Sequence, residues 1–294
     1  MDRRCFLKTS GAIGATLACG NARAAQAAPS SNEAKEFVGV LVDTTRCIGC
    51  RSCEVACGQA NGMLVPDVEK DLALEKERTT SEKQWTVVNR YKTDKGEVFV
   101  KKQCMHCWQP ACTAACLTNA MFKTQEGPVI WKADKCMGCR YCMVSCPYNI
   151  PKFEYNEWNP DIQKCTMCYG RIKEGKRPAC VEACPADALM FGQKRDLMEI
   201  ARVRIYNHPR QYVRHIYGEQ EVGGTGWLYL ASVPFEQLGF PMHLGTTPYP
   251  EYTKEFLYSV PILDFGLPTL LIGLKLLVDQ AGRKHDDDDG EASQ

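Results

Sequence analysis

The sequence predicts an α+β fold of short elements, built by internal duplication and followed by one long apolar helix. Three observations carry this. Sixteen of the eighteen cysteines fall into four groups of four between Cys47 and Cys184. An apolar strand, a cysteine loop and a short helix recur, with residues 37–42 leading to Cys47 and residues 128–131 leading to Cys136. Residues 256–278 form a nearly unbroken apolar run. The 294 residues suffice for one large or two modest domains with a buried core. A formal net charge of +1 points neither to a nucleic-acid binder nor to a strongly acidic partner.

The cysteine spacing is the most specific signal. Cys136, Cys139, Cys142 and Cys146, followed by Pro147, read Cys-x2-Cys-x2-Cys-x3-Cys-Pro. This is the bacterial ferredoxin run that holds 4Fe–4S clusters. Three thiolates on one tight loop grip three irons of a cubane, while the fourth normally reaches a different cluster. Cys47, Cys50, Cys53 and Cys57 repeat the spacing without the proline. Looser copies are Cys104, Cys107, Cys112 and Cys116, and Cys165, Cys168, Cys180 and Cys184 with Pro185. Four quartets predict a row of four clusters.

Two other chemistries use cysteine in numbers. Disulfides suit exported proteins, but repeated Cys-x2-Cys pairs are metal-like and the chain is no small stapled scaffold. Structural zinc uses two such pairs per ion and leaves the third and fourth cysteines and the Cys-Pro endings unexplained. With all sixteen thiolates engaged, no iron keeps an open position for substrate, so catalysis is expected in another subunit. No radical-type Cys-x3-Cys-x2-Cys signature or dinucleotide fingerprint occurs, and His208, His215 and His243 are scattered.

At the N-terminal end, Arg3-Arg4-Cys5-Phe6-Leu7 precedes a weakly apolar run and then Ala22-Arg23-Ala24. This resembles a twin-arginine export signal with a small-residue cleavage site, so residues 1–31 are set apart from the fold. A cluster protein assembled in the reducing cytoplasm would travel to the periplasm already folded, as that route permits. Asp2 departs from the usual Ser or Thr, and a generic basic N-terminus is the alternative.

Residues 32–192 are expected to form a doubled ferredoxin-like domain, with an insertion at 63–102 and a core filled largely by clusters. Arg51 to Gly58 reads as a short helix carrying Cys53 and Cys57 on one side. Residues 63–83 form a charged helix or exposed loop around Leu72 and Leu74. Residues 85–91 and 97–101, joined through Asp94-Lys95-Gly96, read as a hairpin that widens the sheet or offers a docking surface. Residues 188–191 close the domain as a strand. Each oxidised cubane with four thiolates carries about two negative charges, a field that nearby cations would offset. Lys101, Lys102, Lys135, Arg140, Lys152, Lys164, Arg171 and Lys173 are candidates, although each read singly is more simply a solvated surface charge.

Residues 193–255 are expected to be an extension and connector. Leu197, Ile200, Ala201 and Ile205 place an amphipathic helix against the cluster domain. Gly223-Gly224-Thr225-Gly226 suggests a tight turn into a strand at 227–230, and prolines mark 239–250 as extended. The run 256–278 is about 35 Å long as a helix, enough for a hydrocarbon core about 30 Å thick. Tyr249, Tyr252, Phe256 and Tyr258 suit one interface, with Arg283 and Lys284 on the cytoplasmic side. Pro261, Pro268, Asp264 and Lys275 run against a span. Lys275 can snorkel, whereas Asp264 implies a partner subunit. The alternative is a hydrophobic helix docked on the soluble domain. Residues 279–294 read as a charged tail.

Together these residues resemble the four-cluster ferredoxin-like subunits of membrane-bound oxidoreductases, such as formate dehydrogenase, dimethyl sulfoxide reductase and polysulfide reductase. The carrying segments are Lys102-Gln103-Cys104-Met105-His106-Cys107, the run from Gly138 to Asn149, Tyr217-Gly218-Glu219, and Gly223-Gly224-Thr225. With Val233-Pro234-Phe235-Glu236, the pattern is most similar to periplasmic members of the hydrogenase-2 type and of the high-molecular-weight cytochrome complex. The resemblance implies exchanged fourth ligands: Cys47, Cys50, Cys53 and Cys184 for one cluster, and Cys165, Cys168, Cys180 and Cys57 for its neighbour. Cys104, Cys107, Cys112 and Cys146 would hold the third, and Cys136, Cys139, Cys142 and Cys116 the fourth. Cysteine at 139, where some relatives carry tryptophan, implies four cubanes. Gly58 and Leu117 stand where ferredoxins prefer proline.

The resemblance further implies a non-catalytic subunit at the periplasmic face of the inner membrane. It would pass electrons between periplasmic hydrogenase subunits or a multihaem cytochrome c and a quinone-interacting integral membrane subunit of the polysulfide-reductase anchor type. A subunit of a periplasmic formate dehydrogenase or molybdopterin reductase is the alternative. His106, Trp108 and Tyr141 are candidates to tune cluster potentials, with plain packing as the simpler role.

Overall fold

The computed structural model describes residues 36–68, 73–158 and 160–291, with side chains as far as residue 279. The predicted export leader and Leu72 lie outside the described residues. The first strand, β1 (Val38–Asp43), leads into the first cysteine loop, and α1 (Ser52–Ala60) carries Cys53 and Cys57. The predicted hairpin is present as β2 (Val87–Thr93) and β3 (Gly96–Lys102), paired antiparallel. The stretch before it is loop wherever it is described.

Behind the second cysteine loop come α2 (Ala111–Ala114), then β4 (Met121–Lys123) paired antiparallel with β5 (Val129–Trp131). The third loop leads to α3 (Tyr141–Val144), and the short pair β6 (Lys152–Phe153) and β7 (Ile162–Gln163) follows. The fourth loop carries α4 (Tyr169–Lys173) and α5 (Ala179–Glu182) before β8 (Leu189–Gln193). The chain closes with α6 (Lys194–Asn207), β9 (Trp227–Leu230) and the long α7 (Tyr249–Glu291).

β1 is the centre of a three-stranded sheet. It pairs antiparallel with β8 and parallel with β9. A strand buried on both faces needs apolar residues at every position rather than at alternate ones, which is why β1 reads Val-Gly-Val-Leu-Val. Val40 and Val42 face a core shared with Trp227, Tyr229 and Cys180, while Leu41 faces Leu197 and Ala201 of α6. The helix therefore covers one face of the sheet and the cysteine-bearing body lies on the other.

Two buried carboxylates tie the parts together. Asp43, at the end of β1, accepts from Arg204 (2.8 Å) and the Tyr212 hydroxyl (2.8 Å), pinning α6 beside the first cysteine loop. Glu54 on α1 accepts from Arg51, Arg78, Gln84 and the Val88 amide, joining the first cysteine helix to the insertion and the hairpin.

Sequence reading placed a strand at 227–230 without a partner. Its parallel pairing with β1 makes the extension part of the central sheet. Tyr217 and Phe240 pack edge to face on Tyr229, and Phe235 edge to face on Phe240, so the predicted connector begins as core at Phe240 and returns to it at Leu244.

α7 runs through Pro261 and Pro268 without a break. Each proline removes one backbone donor. Beside them, Ser259 donates to the Phe256 carbonyl (2.7 Å) and Thr269 to that of Phe265 (2.6 Å), which keeps both hydroxyls paired within the helix. The stretch Tyr249–Asp279 is long and apolar enough to cross a membrane, and its apolar side chains are exposed.

Candidate metal centre

Each cysteine loop is shaped by the same backbone device. The residue just before the second cysteine is left-handed in all four: Gly49 (φ +73°), His106 (+48°), Gly138 (+72°) and Met167 (+55°). At Gly49 space matters as well, because a Cβ there would lie 2.5 Å from the Phe99 ring. Arg51 and Arg140 follow with nearly the same φ (+61° and +62°) and open their helices identically. Such reversals turn successive amides toward an anionic centre. The Met167 amide accordingly donates to Cys165 Sγ (3.3 Å) and the Met121 amide to Cys116 Sγ (3.3 Å).

A second device went unread in the sequence. Asn119, Asn149 and Asp187 are left-handed, and their amides return to the carbonyls of Cys116, Cys146 and Cys184. An Asn or Asp three residues beyond the last cysteine is the available signal, since these types tolerate this conformation. The first quartet differs because Cys57 sits inside the longer α1. Gly58, found where ferredoxins prefer proline, lets the chain at Leu64 approach closely: a Cβ would lie 2.9 Å from its carbonyl oxygen.

Strand pairing decides which cysteines meet. Cys184 precedes Leu189 of β8, and Cys47 follows Val42 of β1, and Val42 and Leu189 are register partners. The same intervals recur where Cys116 precedes Met121, Cys136 follows Trp131, and Met121 pairs with Trp131. Cys47, Cys50, Cys53 and Cys184 line one small cavity. Cys57, Cys165, Cys168 and Cys180 line a second. The thiol of Cys107 has Cys104, Cys146 and Cys112 as its charge neighbours, and that of Cys142 has Cys116, Cys136 and Cys139.

The four groups follow one another. Cys53 neighbours Cys180, Cys165 neighbours Cys104, and Cys112 neighbours Cys142. Cys50 and Cys139 are the exposed members. Among the described residues, no three His, Cys, Asp or Glu side chains converge tightly enough to share one ion.

The chemistry of this donor set fits iron–sulfur clusters. Burial pushes the thiols of Cys53, Cys107, Cys112 and Cys165 well up, with neighbouring cysteines adding to the effect, and it takes Cys57 up to about 12. Dry, crowded thiols of this kind lose their protons only to a bound metal centre. Ring N–H groups point the same way. His106 is buried, and its Nδ1 accepts from the Val129 amide (2.8 Å), so the proton resides on Nε2. That Nε2, with Nε1 of Trp85, Trp131 and Trp227, is buried with no hydrogen-bond partner. Trp85 and Trp227 line the second cavity, and Trp131 packs beside Cys116 and Cys136. A buried unpaired donor costs about 1–3 kcal/mol, and cluster sulfur is an acceptor at hand.

The cations range from exposed to buried, with Lys102, Lys152 and Arg171 half-buried. Lys135, Arg140 and Lys173 are exposed, matching the plain surface reading. Lys101 and Lys164 are buried, at 2% and 3% exposure. Lys164 donates to the carbonyls of Val129 and Cys165. Burial works against the charge of Lys101, but Cys180, Cys53 and Cys165 outweigh it and hold the pKa above the usual lysine range. Lys123, absent from the sequence candidates, donates to the Cys107 carbonyl (2.8 Å), and burial lowers it to about 8. Of the potential-tuning candidates, His106 is buried, whereas Trp108 and Tyr141 are largely exposed.

Comparison with known proteins gives the family. Residues 96–194 match the model of a 4Fe–4S dicluster domain, covering the second, third and fourth quartets. A protein of Nitratidesulfovibrio vulgaris is 49% identical over 93% of this chain and 76% of its own length. The hydrogenase-2 operon protein HybA of Escherichia coli O157:H7 is 35% identical over 99% of this chain and 98% of its own. The nitrate-inducible formate dehydrogenase iron–sulfur subunit of Escherichia coli K12 is 34% identical over 67% of this chain and 68% of its own.

Proposed function

Because this chain belongs to the ferredoxin-like 4Fe–4S subunit family that includes HybA and the formate dehydrogenase iron–sulfur subunits, we propose that it relays electrons along a row of four clusters to the membrane. The coarse part of this reading follows from membership: the chain is an iron–sulfur electron-transfer subunit of hydrogenase or formate dehydrogenase type. The finer part rests on one observation, the linear succession of four cysteine groups.

In this reading Cys47, Cys50, Cys53 and Cys184 hold the first cluster, and Cys165, Cys168, Cys180 and Cys57 the second. Cys104, Cys107, Cys112 and Cys146 hold the third, and Cys136, Cys139, Cys142 and Cys116 the fourth. The quartets form a doubled ferredoxin-like domain over residues 32–192, with 193–255 as its extension. Bound clusters supply one-electron carriage. The chain's own residues supply the thiolates, exclude water and set the surrounding charge. Every cysteine of the quartets is committed to ligation, so substrate chemistry belongs to a partner subunit.

The base of α7 supports the direction of the row. Tyr249 and Leu257 line a cleft with Ala111 and Ala115, beside Cys112 and Cys116, and with Ser145, beside Cys146. The membrane end is therefore the end of the third and fourth clusters. Residues 256–278 anchor the subunit, residues 1–31 export it by the twin-arginine route, and the body lies on the periplasmic face. Asp264 sits midway along the apolar stretch Tyr249–Asp279. A carboxylate at that depth calls for a polar partner on an integral membrane subunit, which is quinone-reactive in this scheme.

A periplasmic nickel–iron hydrogenase is the donor that the full-length match to HybA supports, and a multihaem cytochrome c is the donor that the sequence resemblance adds. A formate dehydrogenase or molybdopterin reductase is the second reading, supported by a match over two thirds of the chain. Membranes bearing the intact complex should reduce added quinone under hydrogen. Deleting this chain should abolish that reaction while leaving hydrogen-dependent dye reduction by the catalytic partner. Quinone reduction that survives the deletion would refute the relay, and a response to formate alone would select the second reading.

A further inference from the structure

Lys101 stands where two cysteine groups meet. It lies on β3 in register with Val88. Its side chain lines both the cavity of Cys47, Cys50, Cys53 and Cys184 and the cavity of Cys57, Cys165, Cys168 and Cys180. Its position is held by neutral groups. The Nζ donates to Gln103 Oε1 (2.9 Å) and lies 4.4 Å from the centre of the Trp227 ring. Gln103 Nε2 donates to the Tyr229 hydroxyl (2.7 Å), which donates to the Lys101 carbonyl (2.9 Å) and closes the ring of contacts.

Among the described residues no carboxylate pairs with this ammonium. A buried charge needs an opposite charge, and an amide oxygen and an aromatic face do not neutralise one. Among the described residues, the acidic groups that favour its charge are Cys180 and Cys165 of one flanking group, Cys53 of the other, and the Tyr229 phenol. Lys164, the other lysine buried to this degree, donates to the carbonyls of Val129 and Cys165 and lies beside Cys112 and Cys146 of the third group.

We propose that Lys101 is a positioning residue whose single ammonium is shared by the first and second clusters, holding both reduction potentials up and leaving the third and fourth unaffected. The inference rests on the four-site reading given above. Adding an electron to a cluster adds negative charge, so a fixed cation favours the reduced form of each neighbour. One cation between two sites acts on both. Electrons entering at the first cluster then meet a second cluster whose potential is raised by the same charge.

The test is a potentiometric titration of the anaerobically purified full chain, followed by electron paramagnetic resonance, in the wild type, Lys101→Met and Lys101→Arg. The methionine variant should shift two of the four couples downward. The expected size is at least about tenfold in the reduced-to-oxidised ratio, which is about 59 mV for a one-electron couple. The arginine variant keeps the charge and should restore both couples. Unchanged potentials, a shift of one couple alone, or an equal shift of all four would overturn the proposal.

If Lys101→Met assembles incompletely, Lys101→Gln and the iron content decide. Iron missing from the two flanking sites, with Lys101→Arg fully loaded, supports the shared charge, and iron missing from the other two sites refutes it. Fewer than four clusters in the wild type would overturn the site assignment and this inference together. Four clusters with no dependence on Lys101 would overturn this inference alone.

Discussion

Replacing Cys184 by serine is expected to remove the cluster built on the first quartet and to leave the one built on the fourth quartet in place. Sequence proximity alone would predict the opposite, since Cys184 belongs with Cys165, Cys168 and Cys180 along the chain. The sheet reverses that expectation. β8 leaves Cys184 and runs antiparallel to β1, which ends just before Cys47, so Cys184 is carried to the mouth of the first loop. There it joins Cys47, Cys50 and Cys53 around one cavity. Serine cannot supply the soft thiolate that iron–sulfur ligation uses. Iron should fall by one to four of about sixteen atoms per chain, as a three-iron cluster forms or the site empties. The spectral component lost should be the same one lost in Cys47→Ser. Loss of the component shared with Cys165→Ser instead would show that the quartets do not exchange ligands.

Glu54→Ala should give the largest loss of stability among single changes outside the cysteines. Glu54 is 1% exposed and accepts from Arg51 Nη2 (3.0 Å), Arg78 Nη2 (2.6 Å), Gln84 Nε2 (2.8 Å) and the Val88 amide (2.5 Å). Removing it takes the carboxylate away from Arg51, which is 3% exposed, from Arg78 and from the Val88 amide. Breaking a buried charge network from one side costs about 3–5 kcal/mol. Glu54→Gln keeps the shape and part of the hydrogen bonding, so its cost should be smaller. A protein with several bound clusters is not expected to unfold as a two-state system, so the useful readout is the denaturant concentration at which cluster absorbance bleaches. Both variants should bleach earlier than the wild type, alanine first. An unchanged alanine midpoint would mean that the carboxylate contributes nothing net.

Much of the site was legible in the chain because ligand spacing is a local property. Cys-x2-Cys-x2-Cys fits one loop whatever surrounds it, and the strand before each of the Cys47 and Cys136 loops is visible as an apolar run. The hairpin turn at Asp94-Lys95-Gly96 and the helix around Leu197 and Ala201 are local signals too. What escaped reading depends on partners distant in sequence. The parallel pairing of residues 227–230 with β1 has no local mark. Glu54 and Arg78 look like ordinary surface charges until the insertion folds back over α1.

The lysines make the same point in chemical terms. Lys101 and Lys102 are neighbours on one strand, and alternation sends their side chains to opposite faces. Lys102 binds Glu77 and the Gly239 carbonyl near the surface, while Lys101 is sealed between two cysteine groups. Composition near the ligands cannot separate the two, but the register of the hairpin can.

Everything above depends on cubanes filling the spaces between these thiols. Iron and acid-labile sulfide measured on chain purified without oxygen test this most directly. About sixteen of each per chain, four from each of four clusters, is the predicted result. About eight would remove two of the four sites, and zinc in place of iron would contradict the account as a whole.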